Sequence, residues 1–95
     1  MRFADKGTEA FYNGTESKAA RKAVPDNIST VALRKLQQLD QAQTLFDLAV
    51  PSGNHLEALK GDRAGQHSIR INDKYRICFT WTDVGAVDVE VTDYH

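Results

Sequence analysis

Cysteine is all but missing from this chain: Cys78 stands alone among 95 residues. A lone thiol excludes an internal disulfide and any cysteine-rich zinc site, and it fits a reducing cytoplasm. No apolar run is long enough to span a membrane, and the start, "MRFADKGTEA", lacks the apolar stretch of a secretory leader. Repeats, low-complexity tracts and linkers are also absent, so the expectation is one domain over residues 1–95. A strong net charge is missing too, at −1 overall. What is present is ordinary for a globular protein: 41% hydrophobic and 26% charged residues, too apolar for disorder.

The small net charge hides a segregated distribution. Between Ser17 and Gln37 stand Lys18, Arg21, Lys22, Arg34 and Lys35 against Asp26 alone. Between Lys60 and Arg76 stand Lys60, Arg63, Arg70, Lys74 and Arg76 against Asp62 and Asp73. From Asp83 to the end come Asp83, Asp88, Glu90 and Asp93, with no Lys or Arg. A basic surface facing RNA is compatible with this pattern, and so is a set of solvated helix and strand faces.

Hydrophobic spacing supplies the elements. "MRF" reads as a short edge strand, Thr8 to Tyr12 begins a helix before Asn13-Gly14, and "SKAARKAV" is rich in helix formers until Pro25 stops it. Ile28, Val31, Ala32, Leu36 and Leu39 then recur at three- and four-residue spacing, an amphipathic helix with Asp26 or Asn27 as its cap. The short link at Pro25 predicts that these two helices form an antiparallel hairpin. Leu45, Phe46, Leu48 and Val50 are expected to bury something before the turn signal "PSGN". "HSIRIN", "YRICFTW" and "AVDVEVTDY" alternate apolar with polar residues, which predicts a three-stranded antiparallel meander. Ile69, Ile71, Ile77, Phe79, Trp81, Val87, Val89 and Val91 would face the core. The expected fold class is α+β, a helical hairpin covering one face of a small, mainly antiparallel sheet.

The opposite face gathers Arg70, Asn72 and Arg76, near the loop that holds Lys60. Such a face can serve solubility alone. The chain ends, however, on Asp93, Tyr94 and His95, three proton donors or acceptors. In an antiparallel meander this ending lies towards Arg76. Cations beside an acid/base cluster suit RNA cleavage without a metal or other cofactor: a base takes the ribose 2′-OH proton, an acid protonates the leaving 5′-oxygen, and cations stabilise the added charge. His55 and His67 lack metal-ligand spacing, and Cys78 has no neighbour that would activate it.

"LEALKGDRAGQHSIRINDKYRICFTW" followed by "VDVEVTDYH" resembles the HigB branch of the RelE/ParE toxin superfamily across residues 50–95. The resemblance implies a RelE-like fold and a ribosome-dependent mRNA endonuclease that cuts translated mRNA in the ribosomal A site. It also implies a helix-turn-helix antitoxin of HigA type, through which the toxin would meet operator DNA only indirectly. Carried over by position, the family's functional set falls on Lys60, Arg76, Asp93, Tyr94 and His95. Some members carry a histidine where this chain has Glu57, and an arginine where it has Asn72; Arg70, one pleat earlier, is the available substitute. Glu57, Asp93 and His95 all remain candidates for the general base. The rival expectations are a ParE-type inhibitor of DNA gyrase that cuts no RNA, and a non-enzymatic binding module.

Overall fold

The Asp5 carboxylate accepts a hydrogen bond from the Thr8 backbone N–H at 3.0 Å and caps the first helix, α1, Lys6–Tyr12. Ser17 does the same for α2, Lys18–Ala23, accepting from the Ala20 N–H at 3.1 Å. Both features belong to a computed structural model that describes residues 1–93; Tyr94 and His95 lie outside the described residues. The closely packed helices are α1 and α2, not the pair flanking Pro25. Gly7 explains the difference. A Cβ there would stand 2.6 Å from the Ala19 carbonyl oxygen and 2.8 Å from Ala23 Cβ, so the absence of a side chain lets α1 lie directly on α2.

Beyond Pro25 a 3-10 turn, Asp26–Ile28, leads into the longest helix, α3, Ser29–Gln41. Neither Asp26 nor Asn27 caps it through a side chain; Ser29 Oγ donates back to the Asp26 carbonyl at 2.9 Å instead. Ala32, Lys35, Leu36 and Leu39 form its buried stripe. The following 3-10 turn, Leu45–Leu48, is held by a reciprocal cap between Thr44 and Asp47. Backbone N–H groups of Gln43 and Thr44 hold the Asp47 carboxyl below its usual range. Of the four apolar residues expected inside here, only Leu48 is fully buried. Phe46 and Val50 are exposed, because a 3-10 turn of this length can press only one side against the core.

The sheet has four strands in the order β1 (Glu57–Ala58), β2 (His67–Arg70), β3 (Arg76–Thr82) and β4 (Gly85–Thr92), each antiparallel to the next. The expected meander is therefore present with β1 added at its edge. The segment "MRF" contributes a single parallel bridge, Phe3 with Val89, supported by backbone hydrogen bonds from Arg2 and Ala4 to β4. Ile69, Ile71, Ile77, Phe79, Val89 and Val91 meet the buried stripe of α3 in one apolar cluster. Val87 does not join them. Between Cys78 and Thr80 the β3–β4 register slips by one residue, with Asp88 at a left-handed φ of 52°. That bulge reverses the pleat, so Ala86 takes the buried place and Val87 turns outward. Among the described residues no helix is long and apolar enough to cross a membrane.

Candidate active site

The face of the sheet away from α3 is built in rows by the strand register. Arg70 pairs with Arg76 and Arg76 with Thr92; in the next row Glu57, Ser68, Cys78 and Glu90 stand side by side across all four strands. A face kept soluble only by long cations would leave the small residues between them wet. Instead Ser68 and Cys78 are 0% exposed. Two arginines lie over this row: Arg63 in the β1–β2 link, whose Nη1 donates to Glu90 Oε1 on β4 at 2.9 Å, and Arg76, which donates to Ser68. Burial pushes the Cys78 thiol up to about 11, which removes it as a nucleophile at neutral pH.

Arg76 is anchored rather than free. Its Nε–H donates to Ser68 Oγ at 2.7 Å, and Nη2 donates to the His55 carbonyl at 2.6 Å. His55 presents that carbonyl from a left-handed backbone, φ 43°, a conformation uncommon for a side-chain-bearing residue. A guanidinium carries five N–H donors, and Arg76 spends none of its Nη1 donors on described partners. It can therefore hold an anion from a fixed position.

The remaining residues are dispersed around this point. Lys60 is exposed and opens the 3-10 turn Gly61–Arg63. Glu57 is exposed on β1 opposite Ser68, the residue that accepts from Arg76. Arg70 is in an ion pair with Asp73. Asn72 is occupied by architecture: its Oδ1 accepts from the N–H groups of Lys74 at 2.9 Å and Tyr75 at 2.7 Å, shaping the β2–β3 turn. Asp93 is exposed, with Lys74 Nζ 4.0 Å from its carboxylate. Thr92 pairs with Arg76, so β4 ends beside that residue's backbone, while its guanidinium leans the other way, to Ser68 on β2 and to His55. Among the described residues no three His, Cys, Asp or Glu side chains gather as a metal-ligand set.

The HigB-like toxin model, described as the RelE-like toxin of the type II toxin–antitoxin system HigB, matches residues 1–95. The chain belongs to the HigB-like toxins. It is 41% identical over 88 residues to Toxin HigB-1 of Vibrio cholerae, covering 93% of this chain and 90% of that one. An uncharacterized protein of Haemophilus influenzae is 34% identical over 70 residues, 74% of this chain and 64% of that protein. In fold the toxin resembles a chain of the YoeB-YefM complex from Staphylococcus aureus, with a TM-score of 0.61 at 19% identity, covering 99% of this chain and 93% of that one.

Three features that hold the toxin's site in place escaped sequence reasoning. The Arg63–Glu90 pair and the His55 carbonyl join positions far apart in the chain, one of them through backbone alone, and neither leaves a local pattern. Lys35 did leave one, as a charge inside the apolar stripe of α3. Its buried ammonium donates to the Gly53 carbonyl at 3.2 Å and to the Arg70 carbonyl, tying α3 to the segment before His55 and to the end of β2. Burial, and then the charges of Arg34, Arg70 and Arg76, hold it below the ordinary lysine value.

Proposed function

We propose that this HigB-like toxin is a ribosome-dependent endoribonuclease that cuts translated mRNA in the ribosomal A site and so inhibits translation. One observation supports the reading: Ser68 and His55 fix Arg76 at the strand position that pairs with Thr92, the residue before Asp93. In the proposed reaction a base removes the proton of a ribose 2′-OH, and that oxygen bonds to the adjacent phosphorus. The bond to the 5′-oxygen breaks, and an acid returns a proton to it, leaving a 2′,3′-cyclic phosphate and a 5′-hydroxyl. Arg76, with Lys60 and Arg70, stabilises the charge gathered on the phosphoryl oxygens. His95 transfers protons, Asp93 orients it, and Tyr94 packs on a base or assists the leaving oxygen; Glu57 is the alternative base. Asn72 acts through the turn that it shapes beside Arg70. The near-neutral net charge of −1 supports binding that depends on the ribosome's architecture more than on bulk attraction to RNA.

The toxin–antitoxin family supports a protein partner, for which a helix-turn-helix antitoxin of HigA type is our reading, with the cytoplasm as the place of action. The test is induction without antitoxin followed by primer extension on cellular mRNA. Growth should stop, with in-frame cuts inside translated regions. Arg76→Ala should keep the fold and lose roughly hundred- to thousand-fold in cleavage, the usual effect of removing one transition-state donor. Intact transcripts with inhibited gyrase supercoiling would replace this reading with the ParE-type one.

A further inference from the structure

The loop that carries Lys60 turns on two glycines. Gly61 and Gly65 both adopt positive φ, at 63° and 93°, and between them the chain makes one short 3-10 turn. Backbone hydrogen bonds close it from within, Ala64 N–H to the Gly61 carbonyl at 3.1 Å and Gln66 N–H to the Arg63 carbonyl at 3.0 Å, and Arg63 ties it to the sheet. The Arg63 backbone N–H donates to the Lys60 carbonyl at 3.2 Å, so the position of Arg63 sets that of Lys60. Arg63 Nη1 then donates to Gln66 Oε1 at 3.1 Å, within the loop, and to Glu90 Oε1 at 2.9 Å, on β4. Each charged side chain of the pair is 29% exposed, so the interaction is partly shielded from solvent. Glu90 lies two residues before Thr92, the partner of Arg76, and three before Asp93. One ion pair therefore joins the two arms that the proposed reaction needs, the Lys60 loop and the strand leading to the tail.

We infer that Arg63 and Glu90 are a positioning pair, which sets the rate of RNA cleavage by holding Lys60 at a fixed distance from Arg76 and the end of β4. This rests on the endoribonuclease reading. Neither residue needs to touch RNA, since their charges satisfy each other across the sheet. Loss of either would release the loop, and a misplacement of about 1 Å at a reacting centre costs roughly a hundred-fold in rate. Reversal of both charges would rebuild the attraction with opposite polarity.

The experiment measures single-turnover cleavage on mRNA-programmed ribosomes at saturating toxin, with toxin–ribosome affinity and the thermal midpoint taken alongside. The variants are Arg63→Glu, Glu90→Arg, the double reversal, and Glu90→Gln, which keeps the shape and removes the charge. Each single variant should cleave roughly ten- to hundred-fold more slowly with affinity little changed, and the double reversal should recover most of the rate. Should the reversals fail to fold, Glu90→Gln still decides: it removes the ion pair while keeping the side chain's shape, and a normal rate then overturns the inference. So does a folded double reversal that recovers nothing, or an Arg63→Glu variant whose loss lies in affinity, which would put Arg63 in direct contact with RNA. Arg76→Ala runs in parallel. Wild-type cleavage by Arg76→Ala overturns the site itself, whereas its loss beside a normal Glu90→Gln overturns only the positioning role.

Discussion

Cys78 sits wholly buried on the sheet face opposite the core, under the reach of Arg63 to Glu90. Burial is the largest influence on its thiol; Arg63 then favours the thiolate, Glu90 opposes it, and Arg76 favours it, for a value of about 11. The folded value is thus raised above the ordinary 9.0. Stability from keeping this thiol neutral is complete below the unfolded value and is lost as pH rises from there towards about 11. The same shift predicts slow chemistry. In iodoacetamide at mildly alkaline pH the native protein should alkylate at least roughly a hundred-fold more slowly than the denatured chain, from thiolate content alone. Fast native alkylation, followed by mass spectrometry, would mean that the cover over Cys78 opens readily.

The tightest constraint between elements is the contact of α1 with α2 at Gly7. Gly7→Ala places a methyl group against the Ala19 carbonyl and Ala23, and neither can withdraw without moving a helix. Overpacking of this kind costs about 1–3 kcal/mol. A denaturant titration should report it as a lowered midpoint, while cleavage by the folded fraction stays normal because neither α1 nor α2 contributes a residue to the proposed site. An unchanged midpoint would mean that α1 shifts at no cost. The sequence made α3 and the strands β2, β3 and β4 legible because each sustains a period. It could not disclose β1, since two exposed residues have no period to detect. Nor could it disclose the bulge at Asp88, which moves Val87 off the core by one backbone angle. Arg70 and Arg76 could be assigned a common face from pleat parity alone. The partners that hold Arg76 could not, because one is a backbone carbonyl twenty-one residues away.

For the molecule as a whole, the arrangement places demands on the chain's last residues. Thr92 lies beside Arg76 and Asp93 follows it, so a proton-transfer role for His95 makes a definite forecast. His95→Ala should abolish or strongly reduce reporter mRNA cleavage while antitoxin binding survives, because no core strand is altered. Residues added after His95 should impair cleavage less severely, by crowding the RNA. Growth rate and reporter cleavage at matched protein levels decide the matter. Full toxicity without His95 would transfer the base's role to Glu57.

The first residues of the chain are stitched to its last strand: Phe3 bridges Val89, and the Val91 N–H donates to Thr8 Oγ1 at 3.3 Å. These contacts have a consequence for how the toxin is made. Synthesis makes residues 1–8 well before their sheet partner on β4, and contacts so distant in sequence form late. The β3–β4 register beside Arg76 therefore forms only after β4 has been made, and the N-terminal residues wait for the same strand.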